Sequence, residues 1–336
     1  MLKPCGSPVP FKGKSAAAAP NSKEDQCLYR RTAPTALSSD RVVLGIAMML
    51  GFCACAPLLD VAAKLAADKI PVAQITTARF AVQSVIMFPV ALLLGFSLRV
   101  PRALMVPLIA RAVFLIASTY CFVAAIAVMP IADALAIVFV EPFILLLLGR
   151  FFFSEPVGSR RLTASLVGFC GVILVIQPSF SAFGAVAFFP LATALTFALY
   201  MLVTRSLSQN LHPIPLQFHT ALTGTILCLP FLIWGSSTES PLFAPVMPVG
   251  IYWLWLFAVG AFASISHLLI SYALKFAPST TLAPLHYLEI VGALFFGYLI
   301  FNDIPDQTAI IGTSIIIGSG LYVFYRERKL EKLKQL

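Results

Sequence analysis

Ten stretches of apolar residues, each about 20 residues long, follow one another along the chain with short polar connections between them. A helix of about 20 residues spans the roughly 30 Å hydrocarbon core of a bilayer. The stretches are continuously apolar rather than alternating, which predicts helices and not the strands of a membrane barrel. The expected fold is therefore an all-α membrane protein, with transmembrane helices at residues 42–66, 72–96, 104–127, 131–153, 161–178, 184–205, 214–236, 250–274, 279–302 and 306–326.

An internal repeat relates the two halves of the chain with an offset of 148 residues. Three pairs of residues keep this offset without a gap: Pro130 and Pro278, Glu141 and Glu289, and Gly149 and Gly297. The repeat predicts two domains, residues 42–178 and 184–326, flanked by tails at residues 1–41 and 327–336. Each domain has five spans, an odd number, so the second must enter the membrane from the opposite side. Inverted repeats are typical of secondary transporters, whose binding site lies near the midplane between the halves.

Composition and charge agree with a membrane protein and set its expected orientation. Hydrophobic residues make up 60% and charged residues 11% of the chain, against about 25% charged in soluble domains. The Lys and Arg residues of the loops and tails lie on one side of the predicted helices, except Lys69, which predicts cytoplasmic termini. The net charge of +9 therefore reflects topology, and nucleic acid is not an expected partner. Residues 1–41 lack the apolar core of a signal peptide and are expected to form a disordered cytoplasmic tail.

Glu141 and Glu289 lie about ten residues into two of the apolar stretches, near the expected bilayer centre. A charged carboxylate there costs roughly 2.5–3.5 kcal/mol on insertion scales, so such residues usually face a water-filled path or a partner. His286 precedes Glu289 by three positions and shares its helical face, which allows a proton relay or a contact to a polar substrate group. The alternative for both glutamates is an interhelical hydrogen bond made in the protonated form.

Four other charged residues within the predicted spans are candidate site residues. Asp60 and Lys64 are four positions apart on one helical face, which is compatible with a mutual ion pair or with contact to substrate or protons. Arg79 lies too deep for its side chain to reach the interface easily, so we expect a carboxylate or carbonyl partner. For Arg111 the alternatives are contact with lipid headgroups, pairing with an acidic residue, or a functional role.

Aromatic residues at similar depth add a second candidate feature. Tyr120, Phe139 and Tyr287 are placed where a planar substrate can stack between the halves, with core packing as the alternative for each. His267 is expected to be a packing histidine. Neither the histidines nor the seven cysteines have the spacing of a metal site, and the cysteines show no disulfide pattern. No metal or cofactor is therefore expected.

Seven short segments carry a further signal: Thr77-Ala-Arg-Phe80, Met129-Pro-Ile-Ala-Asp-Ala134, Phe153-Ser-Glu-Pro-Val-Gly158, Val167-Gly-Phe-Cys-Gly-Val-Ile-Leu-Val175, Phe276-Ala-Pro-Ser279, Leu282-Ala-Pro284 and Phe301-Asn-Asp-Ile-Pro305. Together they resemble the drug/metabolite transporter superfamily in its EamA-type form, which has ten helices in two five-helix repeats. The resemblance covers residues 42–326. It implies transport of amino acids, S-adenosylmethionine, riboflavin or other small metabolites without ATP, and the chain has no Walker A motif.

The expected function is that of a secondary transporter of the bacterial inner membrane that moves a small polar or heteroaromatic metabolite by alternating access. By resemblance, a riboflavin-type vitamin is the leading substrate, and amino acids or S-adenosylmethionine are alternatives. Proton coupling and facilitated exchange are both compatible with the sequence, and the oligomeric state, including a homodimer, stays open. An enzyme is not expected, because H-E-x-x-H and G-x-S-x-G motifs are absent. The remaining alternative, a non-transporting scaffold, would not need buried acids in both halves.

Overall fold

The structure is a computed structural model, and it describes residues 39–128, 131–154, 158–176, 184–235, 237, 244–301 and 307–335. Every regular element in these residues is helical. Nearly all of the predicted N-terminal tail lies outside the described residues. The α-helices are α1 (Ser39–Ala67), α2 (Val72–Leu93), α3 (Met105–Val128), α4 (Ile131–Val138), α5 (Glu141–Phe153), α6 (Ser159–Ile176), α7 (Phe188–Leu207), α8 (Pro213–Gly235), α9 (Tyr252–Phe276), α10 (Ser279–His286), α11 (Glu289–Phe301) and α12 (Gln307–Gln335).

The helices of the described residues form ten spans, because α4 with α5, and α10 with α11, are the two halves of single spans. Seven of these spans are long and apolar enough to cross a bilayer, namely α1, α2, α3, α7, α8, α9 and the pair α10 and α11. The other three are the pair α4 and α5, then α6, and the apolar part of α12 at Ile310–Arg326. All ten lie within a few residues of a predicted span, except that α12 continues beyond residue 326. The protein is an all-helical, multi-pass membrane protein.

The fourth and ninth spans are not the continuous helices that the sequence predicts. α4 ends at Val138 and α5 begins at Glu141, while α10 ends at His286 and α11 begins at Glu289. At the first break, Pro142 has no N–H to donate to the preceding turn, and its ring does not fit against that turn. Discontinuous helices at corresponding positions of the two halves are a feature of transporter binding sites.

The helix packing has two-fold pseudosymmetry between the halves. In this relationship α1, α2, α3, α4–α5 and α6 correspond to α7, α8, α9, α10–α11 and α12. α1 packs against α9, and the corresponding pair, α7 and α3, also packs together. α5 packs against α7 as α11 packs against α1. The pseudosymmetry exchanges the two helices within the packed pair α2 and α8, and within the packed pair α6 and α12. Because each half has five spans, the halves are inserted in opposite directions.

Close helix contacts fill the interior and leave apolar side chains on the outside. A Cβ atom added to Gly45 of α1 would lie 2.7 Å from Cβ of Ala277 at the end of α9, so only glycine permits this approach. Large apolar side chains such as Phe151 and Phe231 are exposed, as expected where lipid replaces water. We call the side where α1 begins the near face, and the side where α1 turns into α2 the far face.

Candidate functional site

His286 links the glutamates of the two repeats. Its Nδ1 lies 2.6 Å from Oε2 of Glu141, and its Nε2 lies 2.9 Å from Oε2 of Glu289. The three residues are 3%, 0% and 8% exposed, respectively. Three candidates from the sequence thus lie in one cluster, although Glu141 and His286 are 145 positions apart.

Each glutamate lies at the beginning of a half-helix. Glu141 is in the first turn of α5 and Glu289 is in the first turn of α11. The N-terminus of a helix carries a partial positive charge of about 0.5 elementary charge from its aligned peptide dipoles, which favours a carboxylate there. The break in each span therefore places the carboxylate inside the protein and supplies part of its counter-charge. Oε1 of Glu141 has no hydrogen-bond partner in the described part of the chain.

A cavity lies beside His286 and Glu289, and its atom-free space, part of which is open to solvent, is about 780 Å³. Its lining comes from α1, α2, α3, α4, α7, α9, α10 and α11, and therefore from both repeats. It extends to Ala63 and Ile75, close to the ends of α1 and α2 at the far face. Towards the near face, packed apolar side chains such as Ile46 fill the interior. The site thus extends towards the far face of the membrane and is closed towards the near face.

The walls of the cavity carry opposite charges. Asp60 of α1 and Glu289 contribute carboxylates, and Arg79 of α2 contributes a guanidinium. Arg79 donates hydrogen bonds from Nη1 to Oγ1 of Thr119 and, at 2.5 Å, from Nη2 to Nε2 of His267. Its Nε has no hydrogen-bond partner among the described residues. The acceptors of these hydrogen bonds are a hydroxyl and an imidazole nitrogen rather than the expected carboxylate or carbonyl, while the carboxylate of Asp60 interacts with Arg79 through its charge.

Asp60 and Lys64 do not form the ion pair that their spacing allows: none joins these two described side chains. Asp60 lines the cavity, where the charges of Glu289 and Arg79 act on it. Lys64 is not among the described residues that line the cavity. A spacing of four puts two side chains on one helical face but leaves their rotamers free. The alternative, in which Asp60 contacts substrate or protons, stays a prediction.

Arg111 is fully buried and is not among the described residues of the cavity lining. Its guanidinium is surrounded by neutral oxygen acceptors of α7, α8 and α9, which are the side chains of Tyr200, Thr204, Gln217, Thr220 and Ser271 and the main-chain oxygen of Leu216. The expectation of a lipid headgroup or an acidic partner is therefore wrong. Arg111 instead ties α3 of the first repeat to three helices of the second.

His267 connects the cavity arginine to this buried network. Oη of Tyr200 lies 2.9 Å from Nδ1 of His267 and accepts a hydrogen bond from Nη2 of Arg111 at 2.8 Å. Because Arg79 only donates, Nε2 of His267 must accept, and the proton of a neutral ring is then on Nδ1. His267 is therefore more than the packing residue expected from the sequence, since it holds Arg79 at the cavity wall.

Three phenylalanines lie around the cavity near His286. The rings of Phe52 and Phe197 stack with centroids 6.5 Å apart, and Phe139 meets the His286 ring edge-on at 6.3 Å. Phe139 is a candidate from the sequence, whereas Phe52 and Phe197 are not. Phe52 lies about two turns before Asp60 on the same face of α1, so the charged residue was a usable signal for it, whereas the single charged residue of α7 lies in the last turn of that helix.

The other two aromatic candidates do not line the cavity. Tyr287 is fully buried and packs edge-on against Phe139, with ring centroids 5.8 Å apart. Tyr120 packs against an apolar cluster that contains Ile126. Neither tyrosine is among the described lining residues. Both lie on spans beside the cavity, and their direction around the helix takes them away from it.

The described residues contain no group of three or more His, Cys, Asp or Glu side chains suited to holding a metal ion. The groups that this part of the chain offers to a ligand are carboxylates, a guanidinium, imidazoles and aromatic rings. These groups bind charged, polar and planar molecules and exchange protons.

Comparison with known proteins identifies the family and a range of substrates. The model of the EamA-like transporter family matches the chain twice, at residues 43–177 and 184–325. The S-adenosylmethionine uptake transporter of Rickettsia bellii (strain RML369-C) is 27% identical over 206 residues, 61% of this chain and 67% of that protein. The riboflavin transporter of Rhizobium johnstonii is 26% identical over 211 residues, 63% of this chain and 67% of that protein. The pseudopaline exporter of Pseudomonas aeruginosa is 24% identical over 262 residues, 77% of this chain and 88% of that protein.

These relatives differ in substrate, and the alignments span about two thirds of the length of the Rickettsia and Rhizobium proteins. A crystal structure with 20% sequence identity superposes with a TM-score of 0.70 over 88% of this chain and 99% of the other, which shows the same fold. The predictions of family, of fold class and of a protein that is not an enzyme are confirmed by the family match. With most of both repeats matched, the chain belongs to the EamA-like transporter family.

Proposed function

We propose that the substrate of this secondary transporter is a small zwitterionic metabolite, which crosses the membrane by alternating access. The observation that carries the proposal is the cavity between the repeats, with the carboxylates of Asp60 and Glu289 and the guanidinium of Arg79 in its walls. Inverted repeats place a transporter's site in this position.

The charges of the cavity support the zwitterionic class. Ionisable groups within a membrane are costly, and they are usually found where they bind substrates or ions. Arg79 leaves its Nε without a partner in the described residues, and Asp60 faces the cavity. A substrate carboxylate complements Arg79, and a substrate ammonium or sulfonium group complements Asp60 and Glu289. Such charge-assisted hydrogen bonds are roughly twice as strong as neutral ones.

The aromatic side chains favour a planar ring in the same substrate. Phe52, Phe139 and Phe197 all line the cavity, and aromatic rings stack on such surfaces with favourable energy. An amino acid joined to a heteroaromatic ring, as in S-adenosylmethionine, satisfies the charges and the rings together. A riboflavin-type vitamin, the second candidate, satisfies the rings and leaves the paired charges without partners.

Alternating access requires contacts near the near face to separate. Nη1 of Arg161 in α6 donates a hydrogen bond to Oγ1 of Thr280 in α10 at 3.1 Å, which links the two repeats beyond the closed end of the cavity. Opening towards the near face breaks this link and closes the far-face side. With cytoplasmic termini in a bacterial inner membrane, as the Lys and Arg distribution predicts, the near face is the cytoplasmic one.

Counterflow in proteoliposomes tests the proposal. Vesicles that contain the purified protein and unlabelled S-adenosylmethionine, methionine or riboflavin are given the labelled compound outside, and exchange is measured. We expect exchange of S-adenosylmethionine to exceed that of riboflavin, and to fall at least about tenfold in Arg79→Gln and Asp60→Asn, equivalent to about 1.4 kcal/mol. Arg102→Gln removes an exposed charge just before α3 begins and is the matched control. If the protein exchanges riboflavin but neither S-adenosylmethionine nor methionine, the proposal of a zwitterionic substrate is overturned.

A further inference from the structure

The hydrogen bonds of His286 fix the number of protons in the group formed by Glu141, His286 and Glu289, here called the bridged cluster. An ionised carboxylate only accepts, and a neutral imidazole has one donor and one acceptor nitrogen. The contacts of 2.6 and 2.9 Å therefore require an imidazolium between two carboxylates, or a neutral imidazole with one carboxyl protonated. Both arrangements hold two protons in the contacts and carry one net negative charge.

The bridge has no counterpart in the first repeat. His286 is the last residue of α10, and the corresponding residue, 148 positions earlier, is Val138, the last residue of α4. Val138 lines the cavity, as His286 does. Its isopropyl group has no hydrogen-bonding atom, so the first repeat contains the glutamate but lacks the imidazole.

This difference matters because inverted repeats are related by a pseudo-two-fold axis and rock against each other around the site. We infer that in the opposite conformation each half adopts the arrangement that the other half has here. When the cavity reaches the near face, Val138 takes the place that His286 has here, and His286 takes the present place of Val138. Val138 cannot join the two carboxylates. The bridge with its two shared protons therefore belongs to the conformation in which the cavity extends towards the far face.

Other titratable groups face the cluster from the helices packed around it. Asp60 and Glu289 line the same cavity, so a change in the charge of the cluster acts on Asp60. The groups are Cys53 and Asp60 of α1, Arg79 of α2, His267 of α9, and Tyr287 between α10 and α11.

We propose that the bridged cluster is a proton-binding site whose proton affinity differs between the two conformations, and that this difference couples substrate movement to protons. The inference rests on the transport function proposed above. The two hydrogen bonds of His286 stabilise the protons that they contain, so the bridged conformation binds protons more tightly than the conformation without the bridge. A ligand with different affinities for two conformations shifts their equilibrium. Protons therefore favour the far-face conformation, and reorientation releases a proton from the cluster to water at the near face.

A labelling experiment tests this site without any substrate. In the full chain with its native cysteines replaced by serine, Ala63→Cys reports access to the cavity from the far face by its rate of reaction with a charged maleimide. Each rate is divided by that of Lys69→Cys, an exposed residue of the α1–α2 turn, which corrects for the pH dependence of the thiol itself. We expect the corrected rate to be at least threefold higher at pH 6 than at pH 8.

Two variants separate the bridge from other effects of pH. His286→Val removes the imidazole and should abolish the dependence of the corrected rate on pH. The double variant Val138→His/His286→Val places the imidazole in the other repeat, so the bridge forms in the near-face conformation and the dependence should reverse in sign. An unchanged pH dependence in His286→Val overturns the proton site. A reversed pH dependence in the double variant shows that the protein still folds, and it supports the proton site.

Proteoliposomes then distinguish failure of the coupling from failure of the proposed transport. Exchange of labelled S-adenosylmethionine at equal pH tests the transport function, and accumulation under an imposed pH gradient tests the coupling. We expect the ratio of gradient-driven uptake to exchange to fall at least fivefold in His286→Val and to recover in the double variant. Exchange in the wild type without response to the gradient overturns the coupling alone. Absence of exchange together with pH-dependent labelling overturns the substrate assignment and supports the proton site.

Discussion

Nδ1 of His286 lies 2.6 Å from Oε2 of Glu141, and this hydrogen bond joins the two repeats at their helix breaks. His286 is the last residue of α10 and Glu141 is the first residue of α5. The backbone groups at the end of a half-helix lack some of the hydrogen bonds that hold the middle of a helix, so these ends move more easily. Relative movement of the repeats therefore acts directly on this contact.

Glu141→Gln is expected to reduce transport while preserving the fold. The amide oxygen still accepts a hydrogen bond from Nδ1 of His286, but the side chain no longer carries a charge or exchanges a proton. We expect exchange in proteoliposomes to fall at least about tenfold, equivalent to about 1.4 kcal/mol. Asp68→Asn, which changes an exposed acid hydrogen-bonded to Tyr252 at the far face, is the matched control. Normal exchange by Glu141→Gln would remove this residue from the site.

The two buried arginines are expected to respond differently to substitution. Arg111→Met removes several buried hydrogen bonds from a charged donor, and each bond of this kind contributes about 1.5–3 kcal/mol. We expect a lowering of the thermal midpoint on the order of 10 °C, because 1 kcal/mol corresponds to about 2–4 °C in proteins of 150–250 residues. Arg79→Gln, at the cavity wall, should lower exchange with a much smaller change in the midpoint. Equal midpoints for the two variants would contradict the structural role of Arg111.

Features that depend on local sequence were predictable. The spans follow from continuous apolar runs, and the pairing of Glu141 with Glu289 follows from a repeat that keeps its register without a gap. A carboxylate within the lipid bilayer is costly in any fold, and this cost identified Glu141 and Glu289 as candidate site residues. The fold class depends on these signals and the family on the short segments that resemble it, and the match at residues 43–177 and 184–325 confirms both.

Features that depend on contacts between distant helices were not predictable. The spacing of His286 and Glu289 indicated a shared face, but the contact with Glu141 crosses the repeats. Arg111 binds hydroxyls 89 to 160 positions away, and threonine and serine are common in membrane helices for other reasons. The helix breaks lie inside runs of spanning length that are otherwise apolar, so hydropathy did not locate them.

His212, in the connection between α7 and α8, predicts a decrease of stability at acidic pH. Burial and the positive charge of Lys275 lower the pKa of His212 below its ordinary value of about 6.5. The unfolded chain therefore takes up a proton at a higher pH than the folded chain, so stability falls as the pH decreases below about 6.5. The imidazole ring is stacked on Phe96, with centroids 4.1 Å apart.

The variant His212→Phe isolates this effect. It keeps an aromatic ring against Phe96 and removes the titrating group. We expect the thermal midpoint of the wild type in detergent to fall more between pH 7.5 and pH 5.5 than that of the variant. Equal decreases would assign the acid sensitivity to other groups.

Phe197→Ala distinguishes the two parts of the proposed substrate. Phe197 stacks on Phe52 and lies 5.8 Å from the ring of His286, so it offers a surface for a planar group. Loss of one stacking partner of a base costs about 1–3 kcal/mol in nucleic-acid-binding proteins. We expect the half-saturation concentration for S-adenosylmethionine in counterflow to rise roughly tenfold, which corresponds to about 1.4 kcal/mol. Methionine, which has the same charges without the ring, should be affected much less, and Phe231→Ala on the exposed surface should affect neither. Equal effects on the two substrates would show that Phe197 maintains the shape of the cavity rather than binding the ring.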